Sequence, residues 1–222
     1  MRRFLNSNVF AAIVVTAGMV YLGTQIRGQL QQTHAQQQQQ KPAPKYVKAE
    51  VPSFAGLKGV VVVEYADNQC PACAEAEKTV APELAKLEAA GTITVVHRDF
   101  PLPMHTHARE AAEADRCAKD QGVMGLRPAL LEKHDGLNSE VILRLAAGLG
   151  AKEKELSSCI ASHRHADDVE LDVQEGKKLG INATPSFLVV IVKGQEAQGA
   201  LIPGADPDVI LSMVERLRKA NK

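Results

Sequence analysis

The sequence predicts an α/β protein: a small core sheet with helices packed on it and a block of helices inserted after the second core strand. Three observations carry this. The apolar runs Gly59–Tyr65 and Phe187–Val192 are continuous and β-branched, as suits central strands covered on both faces. The stretch from about His105 to Lys178 holds several helical patterns and no convincing strand. The pair Cys70-Pro71-Ala72-Cys73 stands where the first of these strands hands over to a helix.

Each element follows from local pattern. After Cys73 the chain is rich in alanine and glutamate as far as Gly91, a helix with a glycine stop, and Val80, Leu84 and Leu87 share one face. Pro82 lies inside that pattern and should kink or restart the helix. Thr92–Arg98 reads as the second strand, and helices are expected over Ala108–Asp120 and Ser139–Leu149. Phe187–Val192 is the third strand, ended by Lys193-Gly194, and Ala197–Ile202 pairs with it as a hairpin. Asp206-Pro207-Asp208 opens a last helix, with aspartate as N-cap, proline in the first turn and Val209, Ile210, Met213, Val214 and Leu217 as its apolar face.

The N-terminus reads differently. Arg2-Arg3 precedes an apolar run from Val9 to Leu22, the pattern of an export signal. No clean cleavage site follows, so residues 1–28 are read as a signal anchor rather than a cleaved signal peptide. The glutamine- and proline-rich stretch 29–45 buries almost nothing and reads as a linker. The folded domain occupies 46–222, with its helical insert over about 105–178. The protein is therefore expected in the periplasm or another extracytoplasmic space, tethered to the inner (cytoplasmic) membrane through its N-terminal segment. In the 222 residues, 26 Lys and Arg balance 26 Asp and Glu. That balance argues against a nucleic-acid partner, whose phosphates call for a basic excess.

The cysteine pair carries the chemistry. A thiol at a helix N-terminus faces unpaired backbone N–H groups and the positive end of the helix dipole, so its thiolate is favoured. Pro71 suits the first helical turn, and the two-residue spacing brings both sulfurs within disulfide reach. Cys70 is expected to be the exposed nucleophile and Cys73 its more buried partner. The competing reading is half a zinc site, completed by His105 and His107 or by His163 and His165. A copper-binding module using Met104, His105 and His107 is the related alternative. No resident cofactor or metal is otherwise expected. Far downstream, Thr184-Pro185 precedes the third strand, where a proline fits best at the start and a cis bond would make a tight turn into the strand. Cys117 and Cys159 lie in the helical insert. In an oxidising compartment they would pair as a structural disulfide; otherwise they are two buried, inert small hydrophobes.

At these residues the chain resembles the DsbA family of extracytoplasmic thiol–disulfide oxidoreductases, from about residue 56 to 218. The resemblance rests on Val61-Val62-Val63-Glu64-Tyr65 before the cysteine motif and on His97-Arg98-Asp99-Phe100-Pro101. It rests also on Cys117 to Gly122 and on Gly180-Ile181 with Ala183-Thr184-Pro185. It implies a thioredoxin fold with a helical domain inserted after the second core strand. By the same resemblance, Cys70 is the nucleophile and Cys73 the resolving thiol. Thr184 and a cis Pro185, together with Pro71 and Ala72, face the substrate. Glu64 takes the place of an acid beneath the cysteine pair. A carboxylate in a valine strand is costly to bury without a task; proton transfer with Cys73 is one, and a strand-end glutamate reaching solvent is the alternative. Strongly oxidising members carry histidine where Ala72 stands. The function implied is disulfide exchange with exported cysteine-containing proteins, as an oxidase reset by a membrane redox partner. A reductase or isomerase of the same fold is the alternative.

Overall fold

The computed structural model describes residues 22–29, 43–50, 54, 56–194 and 196–220. The chain divides into two units, Met1–Pro42 and Ala43–Lys222. In the first, residues 22–29 form a helix (α1). Most of the expected anchor (1–28) and linker (29–45) lies outside the described residues. Among the described residues no helix is long and apolar enough to cross a membrane.

The second unit opens with strand β1 (Lys45–Glu50) and β2 (Gly59–Ala66). Helices α2 (Pro71–Thr79) and α3 (Ala81–Ala89) lead to strand β3 (Thr94–Asp99). Five helices follow: α4 (Ala108–Asp120), α5 (Leu126–Glu132), α6 (Ser139–Gly148), α7 (Glu153–Ala161) and α8 (Ala166–Lys178). A short 3₁₀ turn at His134–Gly136 separates α5 from α6. Strands β4 (Ser186–Lys193) and β5 (Glu196–Pro203) and helix α9 (Pro207–Ala220) complete the chain.

The sheet order is β1-β5-β4-β2-β3. β2 and β3 run parallel, joined by the α2–α3 crossover, and the remaining pairings are antiparallel. The unbroken valine run of β2 has a simple cause. Val60 and Val62 pack with α2, α3 and α9, while Val61 and Val63 pack on the opposite face with Phe100 and with Val173 of α8. The helical insert has its own core of Leu126, Leu130, Ile142 and Leu156 around Cys117 and Cys159. It is tied to the sheet by ion pairs: Asp172 of α8 accepts from Arg98 of β3 at 3.0 Å and also from Arg116 of α4, which reaches Asp99 at 2.7 Å.

Of two details, the divided helix is the restart expected at Pro82, and the first strand is new to the sequence reading. The long helix after Cys73 divides at Val80, which ends α2 and precedes α3. Pro82 has no N–H to give, and in the first turn of α3 none is needed. The strand β1 was not anticipated; it gains its partner only through the distant β5, pairing Tyr46 with Ala200 and Val47 with Gly199.

Candidate active site

The end of β2 delivers the chain into a tight turn, in which Cys70 N–H donates to the Asp67 carbonyl at 3.0 Å. Cys70 is the N-cap of α2 in extended backbone conformation (φ −79°, ψ 122°), and its side chain makes no capping hydrogen bond among the described residues. The first-turn N–H groups of Ala72 and Cys73 both favour the Cys70 thiolate, the Cys73 N–H donating also to the Cys70 carbonyl at 3.1 Å. The largest influence is the Cys73 S–H, which hydrogen-bonds to Cys70; burial opposes it, and Thr184 adds to it. Together they hold the Cys70 thiol down at about 5. The same hydrogen bond, with burial second, pushes the Cys73 thiol far above its ordinary value. One sulfur is thus poised as thiolate and the other keeps the proton. The Asp67 backbone N–H points at Cys73 Sγ at 3.5 Å.

The second wall of the site comes from the turn into β4. The Thr184–Pro185 peptide is cis. The Thr184 carbonyl lies 3.4 Å from Cys70 Sγ and accepts from the thiol form. Ser186 Oγ donates to the Ala183 carbonyl at 2.8 Å, and Gly204 N–H donates to the Pro185 carbonyl at 2.9 Å, which fix this turn. The buried Thr184 hydroxyl closes no complete hydrogen bond among the described residues and can turn toward a Cys70 thiolate. A third wall is Leu131 of α5, fully buried against Ala66, Cys70, Cys73 and Ala74. Because of it Cys70 is only 6% exposed, less open than an exposed nucleophile, and Cys73 is wholly buried. Pro71 and Ala72 are exposed beside the pair.

Glu64 does not reach solvent. It is 3% exposed, and its Oε2 accepts from Arg127 Nη2 at 2.9 Å and meets His97 Nδ1 at 3.0 Å. Burial alone would raise this carboxyl, but the Arg127 charge and the His97 contact bring it below its usual value. Arg127 Nη1 reaches on to Glu77 of α2 at 3.1 Å. A cavity of about 280 Å³ lies here, lined in part by Glu64, Glu77, His97 and Arg127.

A family model described as thioredoxin matches residues 59–200, which spans the cysteine pair, the insert and the cis-proline turn. The chain belongs to the thioredoxin family. Among solved structures, a thioredoxin-like oxidoreductase from Silicibacter pomeroyi is 26% identical, with a TM-score of 0.59 over 78% of this chain and 92% of that one. DsbA2 of Pseudomonas aeruginosa is also 26% identical, with a TM-score of 0.54 over 73% and 90%. The alpha-DsbA1 of Wolbachia pipientis, at 20% identity, shares the fold with a TM-score of 0.62 over 82% and 96%. Within the thioredoxin family this chain has the DsbA-type architecture. Curated relatives by sequence include a Na(+)/H(+) antiporter NhaA 3 of Salinispora tropica, 33% identical over 132 residues, and an NhaA 1 of Salinispora arenicola, 34% identical over 132 residues. Each match covers 59% of this chain but only 20% of the relative, so the chain spans about a fifth of their length.

The other cysteines and histidines of this thioredoxin-family protein have separate places. Cys117 of α4 and Cys159 of α7 form a disulfide, with sulfurs 1.97 Å apart and Cα atoms 6.0 Å apart. His165 brings a nitrogen within 4.8 Å of both sulfurs, but bridged sulfurs are not the thiolates a metal would take. His165 itself sits between Asp120 and Asp168, at 2.8 Å from each, and His163 meets Glu113 at 3.1 Å. His105 is paired with Asp67 at 2.8 Å and His107 with Glu110 at 3.0 Å, while Met104 is exposed. Two functional groups escaped the sequence reading. Asp67, fully buried at its side chain, accepts from Gln69 N–H and Leu102 N–H at 2.7 Å each and so pins the 101–107 loop beside the cysteine turn. Arg127 is the other; an arginine at the start of a short helix carries no signal of a buried partner 63 residues upstream.

Proposed function

We propose that this chain donates disulfides to exported, cysteine-containing proteins through the Cys70–Cys73 pair. A substrate thiolate attacks Cys70 Sγ of the enzyme disulfide. The new bond joins substrate and Cys70, and the electron pair of the broken bond leaves on Cys73, which takes up a proton. A second substrate thiolate then attacks the substrate sulfur of the mixed disulfide and releases Cys70 as a thiolate. The substrate leaves oxidised by two electrons and the enzyme is left reduced, to be reset by a redox partner in the membrane. Thr184, Pro185, Pro71 and Ala72 form the substrate-facing rim. No cofactor or metal takes part in these steps.

The observation that carries this reading is the stabilised Cys70 thiolate. Whatever stabilises that anion stabilises the reduced enzyme, and a stable reduced form makes the disulfide a strong oxidant. An anchor at 1–28 and a linker at 29–45 would hold the domain, 46–222, at the outer face of the inner membrane and raise its concentration near that partner. Relatives named as membrane antiporters support a place beside a membrane. A reductase or isomerase is the second reading, favoured by Ala72, which supplies no donor for the thiolate.

The deciding experiment is the reduction potential of the Cys70–Cys73 pair, measured by equilibration with glutathione and read by alkylation and mass shift. The protein has no tryptophan to report it by fluorescence. A value near about −120 mV is expected for a disulfide donor. A value of about −200 mV or lower overturns the oxidase reading in favour of the reductase or isomerase.

A further inference from the structure

Within electrostatic reach of Cys73 lies a charge arrangement that disulfide exchange by itself does not require. Arg127, at the first turn of α5, is 8% exposed and spreads its fork across two acids from different elements. Nη2 donates to Glu64 of β2 at 2.9 Å and Nη1 to Glu77 of α2 at 3.1 Å. The backbone N–H of Arg127 is itself held by Asp115 of α4 at 3.1 Å, so the guanidinium is anchored from the insert's own core. One turn further along α5, Leu131 covers Cys70 and Cys73. A single short helix of the insert thus supplies both an apolar cover for the sulfurs and a cation that Cys73 feels.

We propose that Arg127 is a positioning residue for the leaving sulfur: it neutralises the buried Glu64 carboxylate, so that Cys73 can depart as a thiolate without an uncompensated negative charge behind it. This rests on the oxidoreductase reading above and assigns a role within it. In the exchange step the bond between Cys70 and Cys73 breaks and the electron pair passes to Cys73, the sulfur with no exposure to solvent. Water cannot stabilise that anion, so nearby fixed charges decide its cost. Glu64 alone would oppose it. Burial works against the guanidinium's own charge too, but Glu64, Glu77 and a Cys73 thiolate each favour it, so Arg127 stays cationic. The charge of Glu64 cannot simply reach water, because its side chain is 4% exposed. The arrangement also changes the part expected of Glu64. A carboxylate held ionised by Arg127 and His97 is a poor proton donor to Cys73; its charge, rather than its proton, is what must be managed.

The test is the rate at which the oxidised full chain oxidises a model dithiol peptide. Arg127→Met should slow it roughly tenfold, since the rate of thiol–disulfide exchange follows the stability of the leaving thiolate. Adding Glu64→Gln to that variant should restore most of the rate, because a neutral pair leaves no charge behind Cys73. Glu77→Gln, which removes the α2 arm of the fork alone, should slow exchange far less than Arg127→Met. Arg127→Lys keeps the charge but cannot span both acids, and should fall between. If Arg127→Met does not fold, Arg127→Lys with and without Glu64→Gln carries the same comparison. A wild-type rate no faster than the uncatalysed one overturns the oxidoreductase reading itself. A normal wild-type rate that Arg127→Met leaves unchanged overturns the role of Arg127 alone. So does a loss that Glu64→Gln fails to rescue and Glu77→Gln reproduces, which would make Arg127 a staple between elements.

Discussion

At the scale of single residues, the asymmetry of the two thiols is the property that can be measured most directly. Alkylation requires the thiolate, so its rate in the reduced protein should follow the ionisation of Cys70, with a midpoint near about 5. Cys73, pushed far up by its hydrogen bond to Cys70 and by burial, should stay unmodified through neutral pH. Thr184→Val removes the buried hydroxyl that turns toward the Cys70 thiolate, and the midpoint should rise. Iodoacetamide labelling against pH, with the site read by peptide mass, gives both results. An unmoved midpoint in Thr184→Val would leave the backbone N–H groups of α2 and the Cys73 S–H as the whole cause. Cys70, Cys73 and Thr184-Pro185 are legible in the sequence because each occupies a fixed offset from a strand or helix end. Asp67 and Arg127 are not, because their partners are set by how the 101–107 loop and α5 fold back over the cysteine turn. Local spacing holds no trace of that.

At the scale of elements, strands β2 and β4 were readable because burial on two faces writes itself as an apolar run, and β5 followed as the hairpin partner of β4. β1 was not, because its pairing depends on β5, some 150 residues later, and its own residues show no clean alternation. Where β5 crosses β4, Gly199 has a specific reason. A Cβ there would stand 1.9 Å from the Val189 carbonyl oxygen and 2.7 Å from Val190 Cα, both backbone atoms of the central hairpin. At Gly176 in α8 the obstruction is instead the Phe100 ring, 2.7 Å away, a side chain rather than backbone. Gly199→Ala should therefore cost more than Gly176→Ala, about 3 kcal/mol or more against about 1–2 kcal/mol on the usual scale of overpacking. Urea unfolding of the two variants tests the ranking, and the reverse order would mean that the hairpin yields more easily than the aromatic packing.

For the whole molecule, the redox state of one pair of sulfurs couples to global stability, and the sign of that coupling with pH can be worked out. In the reduced protein Cys70 ionises at about 5 when folded, against about 8.5 for a free cysteine in the unfolded chain. Between these values the unfolded state binds more protons, so reduced-state stability rises with pH. The contribution is fully present above about 8.5 and lost as pH falls through about 5. Cys73 has the opposite sense. Its folded value is raised, so above about 8.5 the folded state holds a proton that the unfolded state releases, and stability declines again. Groups whose protonation is the same in both redox forms cancel when the two are compared. The stability of the reduced form minus that of the oxidised form should therefore rise from about pH 5, peak near about pH 8.5 and then fall. The Cys117–Cys159 bridge closes a loop across 42 positions and contributes about 3–4 kcal/mol by chain entropy. It must be removed from both forms by Cys117→Ala with Cys159→Ala, so that the reductant acts on one pair alone. Urea unfolding of the two forms across that pH range reads the difference. A flat difference would show that the folded protein does not favour the Cys70 thiolate, and the thermodynamic basis of a disulfide donor would go with it.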